Sequence, residues 1–144
     1  MEKKIRKPKP IFKQGAISAE SIGVSIANHQ TKTEIGAHSI FMGQVRADEI
    51  EGKRVAAIEY TAQEELANQV VFGIREEAFS KFDLTCMHIY HSLGKVNAGE
   101  ICLFIFVSSP RRNAANDACR FILESIKEQA PIFGKEIFED DILI

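Results

Sequence analysis

The sequence predicts a single α+β domain: a mixed, mostly antiparallel sheet with two long helices and one shorter helix. Two long segments and one short segment carry apolar residues three and four positions apart, the spacing of a helical face that packs on a core. Between them lie runs of β-branched and aromatic residues bounded by glycine, which are typical of strands. At 144 residues the chain has the length of one domain.

The composition is that of an ordinary soluble globular protein, with 45% apolar and 26% charged residues. Its 18 basic and 20 acidic side chains give a net charge of −2, which argues against a general nucleic-acid or membrane binder. No apolar run approaches the roughly 20 residues that span a bilayer, and no signal peptide is expected. Three cysteines lie far apart in apolar contexts, so we expect buried thiols in a reducing cytoplasm: Cys86, Cys102 and Cys119.

Residues 1–10 predict a flexible basic arm, followed by the domain at residues 11–144. The arm sets Glu2 against five basic residues: Lys3, Lys4, Arg6, Lys7 and Lys9. A solvated arm is the favoured interpretation, and an arm that binds a polyanion is the alternative. The basic arm is the only feature that favours nucleic-acid binding, because no aromatic residues are interleaved on a basic strand face.

The first two elements are a short strand that begins at Ile11–Phe12 and a modest helix over residues 18–27. Ser18 is the predicted N-cap of this helix. Its apolar face consists of Ala19, Ile22 and Ile26.

Residues 36–60 predict a hairpin. The first strand, residues 36–46, is mostly apolar and ends at Arg46. It contains Gly43, which marks a bulge or a close approach of another backbone. A polar turn around Gly52 follows, and the second strand runs from Val55 to Tyr60.

The clearest helix covers residues 63–82, with an apolar stripe of Leu66, Val70, Ile74 and Ala78, widened by Ala67, Val71 and Phe79. Two strands follow at residues 84–91 and 101–108, with a loop from Gly94 to Gly99 between them. The second of these strands is apolar on both faces and should lie centrally in the sheet.

The last predicted helix runs from Ala114 to Gln129, with Asn113 as its N-cap. It ends before Pro131, which lacks an amide donor and disfavours helical geometry in the preceding residue. Lys127 lies in its final turn. Its apolar stripe consists of Ala115, Ala118, Ile122 and Ile126.

Three residues close in sequence have side chains that bind metals: Cys86, His88 and His91. On a strand, Cys86 and His88 share one face while His91 lies on the other, so the three cannot converge. A structural zinc site also needs a fourth ligand at a recognisable spacing. We therefore predict no metal site. The chain also contains no glycine-rich phosphate loop, nucleophile elbow or catalytic carboxylate pair.

The remaining candidate site is a set of cations. Each of them alone is typical of a surface charge, but together they flank the strands and the last helix: Arg46, Arg111, Arg112, Lys127 and Lys135. A site that holds anionic groups needs fixed positive charges of this kind.

These cations belong to motifs that occur in a fixed order between residues 35 and 138. The motifs are Phe41-x-Gly43-x-Val45-Arg46, Glu59-Tyr60, His91-x-x-Gly94 with Gly99-Glu100, Ser109-Pro110-Arg111-Arg112, and Lys127-x-x-Ala130-Pro131 with Phe133-x-Lys135-Glu136. Their order resembles that of the large, catalytic subunit of molybdopterin synthase.

The resemblance implies an α/β hammerhead fold and a homodimer within a heterotetramer. It also implies a partner, a small ubiquitin-like sulfur carrier whose C-terminal glycine thiocarboxylate enters a pocket of the large subunit. Members of the family transfer two sulfurs to cyclic pyranopterin monophosphate and so form the dithiolene of molybdopterin. No cofactor or metal is expected, and no cysteine is required, because the sulfur arrives on the partner.

By position, the resemblance makes Lys127 and Lys135 the two catalytic lysines. Arg46 and Arg112, with Arg111 beside it, are the implied substrate-binding residues. The walls of the pocket for the carrier tail are predicted to be Pro131, Ile132 and Phe133, because the proline fixes the chain and two apolar residues follow it.

The chain departs from the family pattern at three positions. Arg111 stands where the family usually has histidine, and Ser92 where arginine commonly follows the motif histidine. Lys135 lies eight positions after Lys127, whereas the family spacing is usually seven. The alternative function is therefore a non-catalytic dimeric module that binds the carrier tail.

Overall fold

The structure, a computed structural model, describes residues 8–142. It contains seven strands: β1 (Phe12–Gln14), β2 (Ala37–Gln44), β3 (Glu49–Ile50), β4 (Lys53–Ala62), β5 (Cys86–Asn97), β6 (Ile101–Ser109) and β7 (Ile132–Phe138). The helices are α1 (Ala19–His29), α2 (Glu64–Lys81) and α3 (Arg112–Gln129), and a short 3-10 helix covers Glu139–Ile142. The predicted fold class is confirmed. Most of the predicted basic arm, residues 1–7, lies outside the described residues.

The sheet has the strand order β2-β6-β5-β4-β3, with β7 also paired to β4 and β1 paired in parallel to β5. Strand β6 lies between β2 and β5 and is buried from Cys102 to Ser109. A strand covered on both faces reads as a continuous apolar run, so the predicted central position is confirmed.

Two cores form on the two faces of this sheet. The larger core lies under α2 and α3 and includes Leu103, Ile105, Val107, Ala118, Ile122 and Ile126. The smaller core lies under α1 and is built from Ile17, Ile22, Phe104 and Phe106. Successive residues of β6 therefore alternate between the two cores, as strand geometry requires. No helix in residues 8–142 is long and apolar enough to cross a membrane.

The N-cap prediction is confirmed for α1 and is wrong for α3. The Ser18 hydroxyl accepts a hydrogen bond from the Ser21 amide at 3.0 Å, which satisfies a free donor of the first turn. In α3 the cap position is Arg111, not Asn113. Because the Arg111 amide donates to the Ser109 hydroxyl at 3.1 Å directly after β6, the chain enters the helix earlier than the sequence suggests.

The apolar stripe of α3 is confirmed, and that of α2 is confirmed except at Leu66. Ala115, Ala118, Ile122 and Ile126 are all buried. In α2 the buried residues are Ala67, Val71, Ile74 and Ala78, and Leu66 is 48% exposed. Helix α2 packs against α3, and its small Ala67 and Ala78 side chains lie on the buried side, so Leu66 points toward solvent.

The predicted hairpin between residues 36–46 and 55–60 is wrong, and β2 is not a buried strand. Strand β2 pairs antiparallel with β6 at the edge of the sheet, and its residues are half-buried or exposed. The chain leaving β2 is held by the β5–β6 turn, because Val45 exchanges hydrogen bonds with Glu100 and Gly99. The hairpin partner of β4 is the short strand β3. The bulge predicted at Gly43 is confirmed by a register shift between Gly43 and Gln44.

The predicted loop from Gly94 to Gly99 is mostly strand. Strand β5 pairs with β6 up to His91 and with β4 from Gly94 to Asn97, so it exchanges partners within its length. Gly94 lies at the exchange with a φ of +79°, a conformation that glycine adopts without a Cβ penalty. Strand β7 was not predicted, and it makes Ile132, Phe133 and Lys135 part of the sheet.

Substitutions of Gly94 and Gly73 by alanine should have opposite effects on the stability of the fold. Gly94→Ala places a Cβ in left-handed backbone and should destabilise the fold by about 1–3 kcal/mol. Gly73→Ala fills open space on helix α2 and should stabilise the fold by about 0.5–1 kcal/mol. Denaturant unfolding of both variants measures the difference, and equal effects would contradict the role given to Gly94.

A histidine pair lies between α1 and the sheet. His29 donates through Nδ1 to the Ser25 carbonyl at 2.7 Å, and its Nε2 lies 2.9 Å from His88 Nε2. Burial, together with the neighbouring positive charges of His29, Arg75, Lys32 and Lys9, lowers the pKa of His88 to about 4. The His88 side chain is therefore neutral at pH 7.

This pair predicts a loss of stability in mild acid. The pKa of His88 is about 4 in the folded protein and about 6.5 in an unfolded chain. As the pH falls, His88 is protonated in the unfolded state before it is protonated in the folded state. The contribution of neutral His88 to the stability of the fold is therefore complete above about pH 6.5 and declines as the pH falls toward 4. Melting temperatures from pH 7 to 5 should fall less steeply for His88→Asn than for the parent, and equal slopes would exclude His88 as the cause.

Candidate active site

The candidate cations lie at two opposite ends of the sheet. Helix α3 packs on β2 and β6 and begins directly after β6, so it runs in the direction of β2 and against β6. Cys119, midway along α3, lies against Ser39 and the Phe41 backbone, midway along β2. We call the end with Gln44 and the last turn of α3 the Lys127 end, and the end with Ala37 and the first turn of α3 the Arg112 end.

Arg46 and Lys127 share the Lys127 end, while Arg111 and Arg112 lie at the Arg112 end. Arg46 follows β2 there, and Lys127 lies in the final turn of α3. Helix α3 is continuous, so at about 1.5 Å per residue the Cα atoms of Arg112 and Lys127 are about 22 Å apart. One chain therefore does not bring these two cations together.

Arg46 is held only loosely within its own chain. Its side chain is 83% exposed and forms an ion pair with Asp48 at 3.3 Å. Exposed ion pairs of this kind contribute little stability, because water screens them and two flexible side chains must be ordered. The planar guanidinium is thus accessible to a phosphate or a carboxylate, which it can bind through two parallel hydrogen bonds.

The Arg112 end has the character of an anion site. Arg111 and Arg112 are exposed at the start of α3, whose first turn contains no acidic residue. Arg111 occupies the cap position without a capping side chain. The N–H groups of a helix N-terminus favour a negative charge, so the two guanidinium groups and the helix dipole act in the same sense.

Lys127 acts electrostatically on a buried histidine whose ring contacts a half-buried tyrosine. His91 on β5 is 4% exposed, and its ring lies edge-on to that of Tyr60 on β4, with centroids 5.1 Å apart. Burial lowers the pKa of His91, and the charge of Lys127 lowers it further against the opposing effect of the Ser92 carbonyl. His91 is consequently a neutral polar group beneath the lysine.

Tyr60 also contacts β6, the central strand of the sheet, through Cys102. Burial raises the pKa of the Tyr60 hydroxyl, and its hydrogen bond with Cys102 raises it further. Cys102 lies on β6 and also donates through Sγ to the Gly43 carbonyl at 3.4 Å. Tyr60 therefore stays protonated at neutral pH and can act as a hydrogen-bond donor.

Lys135 lies on the other face of the sheet. In the β4–β7 register Gly134 is opposite Tyr60, and Lys135 is opposite Glu59. Successive strand residues point to opposite faces, so Lys135 points away from the side that carries Tyr60 and His91. A side chain at position 134 would face Tyr60, but its Cβ would lie 2.9 Å from Ile58 Cγ2 and 3.3 Å from Tyr60 Cε1.

The three predicted pocket walls differ in exposure. Ile132 packs against the larger core, and the Pro131 carbonyl accepts a hydrogen bond from the Gln63 amide at 3.1 Å. Phe133 is 54% exposed and offers apolar surface to a partner. The predicted wall is thus two residues anchored in the fold and one that faces solvent.

Sequence reasoning included His91 in a motif but gave neither it nor Tyr60 a place in the site. Strand alternation could have placed His91 on the α3 side, because it shares a face with Met87 and Ile89, both in the larger core. Ser92 is fully buried, and its hydroxyl has no partner among residues 8–142. The three cysteines are free and buried, as predicted. No three metal-binding side chains converge in the described part of the chain.

The fold is that of molybdopterin synthases of known structure. The chain matches the crystal structure of molybdopterin synthase from Staphylococcus aureus with a TM-score of 0.78 and 30% identity, over 91% of this chain and 92% of that one. It also matches a protein–protein complex of subunits 1 and 2 of molybdopterin-converting factor from Helicobacter pylori 26695. That match has a TM-score of 0.77 and covers 90% of this chain and 84% of the other, and at 19% identity it supports the fold alone.

Sequence comparison gives the family. The family model described as MoaE protein matches residues 16–129. The molybdopterin synthase catalytic subunit of Bacillus subtilis (strain 168) is 40% identical over 109 residues, 76% of this chain and 69% of that protein. That of Thermoplasma volcanium is 34% identical over 117 residues, 81% of this chain and 85% of that protein. The chain belongs to the MoaE family, which confirms the family predicted from the sequence motifs.

Proposed function

We propose that the chain is the catalytic subunit of a molybdopterin synthase and acts as a sulfurtransferase. It transfers sulfur from the C-terminal thiocarboxylate of a small ubiquitin-like carrier to cyclic pyranopterin monophosphate and forms the molybdopterin dithiolene. Membership of the MoaE family and the names of the catalytic subunits it resembles support this function. The free cysteines support a reducing, cytoplasmic location.

The observation that carries the proposal is that Arg46 and Lys127 lie at the same end of the sheet. The donor is a thiocarboxylate anion and the acceptor is a phosphodiester anion, so their approach is opposed by charge repulsion. Cations at the place where the two anions meet offset that repulsion. We assign Arg46 to anion binding and Lys127 to charge stabilisation and proton transfer at the reacting sulfur.

Lys135 is the second proposed catalytic lysine, although it starts from the opposite face of the sheet. Strand β7 pairs only with β4, so it lies at a sheet edge. A lysine side chain has a flexible four-carbon stem that can pass around an edge strand. We propose that Lys135 reaches the reacting groups by this route once the carrier tail is bound.

The carrier is proposed to enter by its tail along Pro131, Ile132 and Phe133. The partner is supported by the Helicobacter pylori structure, which is a complex of two molybdopterin-converting factor subunits. Exposed Phe133 directly precedes Gly134, which is also exposed.

The active site is proposed to be shared between two copies of the chain within a heterotetramer. Arg111 and Arg112 are about 22 Å from Lys127 along α3, too far for one pterin to contact both ends. An isologous two-fold interface can place the Arg112 end of one protomer beside the Lys127 end of the other.

A non-catalytic dimeric module that binds the carrier tail is the second candidate function. The position of Lys135 on the opposite face from Lys127 and the glycine at position 134 favour it. Incubation with thiocarboxylated carrier and cyclic pyranopterin monophosphate distinguishes the two candidates, because only the enzyme forms the dithiolene.

Lys127→Ala should abolish chemistry and leave folding intact. Lys127 is exposed in the last helical turn, where a lysine contributes only about 0.3–1 kcal/mol through the helix dipole. Product formation should fall by about 10²-fold or more, since a preorganised charge is lost. Lys81→Ala, in the last turn of α2, is the matched control and should retain turnover. Full activity of Lys127→Ala would remove this residue from the catalytic set.

Two inactive variants should complement each other. Arg112→Ala and Lys127→Ala are each expected to lack activity, and mixing them under conditions of subunit exchange should restore part of it. Random pairing gives heterodimers with one intact site, so activity should approach about a quarter of the parent value on the isologous model. Exchange without recovery, verified by mass spectrometry of tagged subunits, would rule out the shared site.

A further inference from the structure

The side chains of Lys32 and Cys86 form a direct contact that the proposed reaction does not use. The Lys32 ammonium donates a hydrogen bond to Cys86 Sγ, and the Nζ and Sγ atoms are 2.9 Å apart. Cys86 is buried and Lys32 is exposed, so an accessible amine meets a sulfur at the edge of the core. Within residues 8–142, Cys86 is the one cysteine whose sulfur accepts a hydrogen bond from a lysine.

The backbones on both sides hold this contact in place. Lys32 lies in the connection between α1 and β2, where its amide donates to the His29 carbonyl and its carbonyl accepts from the Ile35 amide, both at 3.2 Å. Cys86 begins β5 and lies opposite Ser108 of β6, which places the contact at the Arg112 end of the sheet. The packing of this connection on the sheet therefore keeps the two side chains within reach of each other.

The amine and the sulfur also interact through their charges. The hydrogen bond with Cys86, and the negative charge of the Cys86 thiolate, raise the pKa of Lys32. Cysteines next to a lysine ammonium are oxidised readily, because the ammonium favours the thiolate that reacts. The first product of such an oxidation is a sulfenic acid, which can condense with a nearby thiol or nitrogen.

We propose that peroxide joins Cys86 to Lys32 through a sulfur–nitrogen bond, a sulfenamide, so that this pair is a site of reversible oxidative modification. The peroxide first oxidises the Cys86 sulfur to a sulfenic acid and is itself reduced. The Lys32 nitrogen then attacks the sulfur, and the sulfenic oxygen leaves as water. Starting from the thiolate and the ammonium, one hydrogen peroxide yields the sulfenamide and two waters.

The geometry favours the amine as the nucleophile in the second step. Reacting atoms about 3–3.5 Å apart are in a productive geometry for attack, and Nζ and Sγ are already 2.9 Å apart. A disulfide would instead need a second thiol, and Cys102 and Cys119 are themselves buried and free. Lys32 is thus a nitrogen nucleophile in contact with the sulfur that is oxidised.

The bond would tie the connection between α1 and β2 to the start of β5. It would join residues 54 positions apart in the chain, and such a cross-link stabilises a fold mainly by restricting the unfolded chain. The melting temperature of the oxidised protein should therefore rise by about 5–10 °C and return to its starting value after reduction.

Mass spectrometry of the full chain after treatment with hydrogen peroxide tests the bond. The oxidised parent should be lighter by two hydrogens, and its tryptic digest should contain Lys32 and Cys86 in one linked peptide that dithiothreitol separates. Lys32→Arg is the matched control, because it keeps the positive charge beside the sulfur and removes the nucleophilic amine. In this variant Cys86 should stop at the sulfenic acid, which dimedone traps, and the melting temperature should not rise.

The proposal is overturned if Lys32 and Cys86 of the oxidised parent are recovered on separate peptides, or if the linked peptide retains the sulfenic oxygen. A melting temperature that rises equally in the oxidised parent and in oxidised Lys32→Arg overturns it as well. None of these measurements depends on the formation of a dithiolene, so they are independent of the proposed function.

Discussion

The structure depends on the burial of β6 on both faces. Residues Cys102–Ser109 have no exposed side, so the strand must be covered by β2 and β5 at its edges and by helices above and below. Its alternating side chains define the two cores, one under α1 and one under α2 and α3. The direction of α3 follows from this, because the helix returns along β6 after an abrupt turn at Pro110. The positions of Arg112 and Lys127 are a consequence of that return.

The candidate site therefore inherits its geometry from a rigid helix. A continuous α3 keeps Arg112 and Lys127 at fixed, distant points, while the β2–β6 register brings Arg46 to the same end as Lys127. Residues on mobile loops could move together around a substrate. Arg112 and Lys127 cannot do so, because both belong to one packed helix. The natural way for such a scaffold to unite its cations is to meet a second copy.

The sequence predicted what depends on neighbours in the chain. The Ser18 cap, the α3 stripe and the apolar run of β6 are local patterns with fixed periods. The sequence did not predict pairing between strands that lie far apart in the chain. Strand β2 pairs with β6 and not with β4, and β5 changes its pairing partner at Gly94.

The limits of prediction at the site have the same origin. The sequence identified the residues of the cationic set. The face on which Lys135 lies depends on the β4–β7 register, which cannot be predicted from the periodicity of the sequence. Strand β7 itself was hidden, because Gly134, Lys135 and Glu136 show no apolar alternation. The environment of His91 required knowledge of which rings surround it, although its face on β5 was available from strand alternation alone.

Gly134 constrains how this chain can change by mutation. A lysine seven positions after Lys127 would require Ile58 to shift, since a Cβ at position 134 would lie 2.9 Å from its Cγ2 atom. Deletion of Gly134 would restore the spacing but would also exchange the two faces for every later residue of β7. Ile137 would then take the present place of Glu136 opposite Ile58, and Phe138 would take the place of Ile137 opposite Ala57. A return to the commoner spacing thus requires compensating changes in β4 as well as in β7.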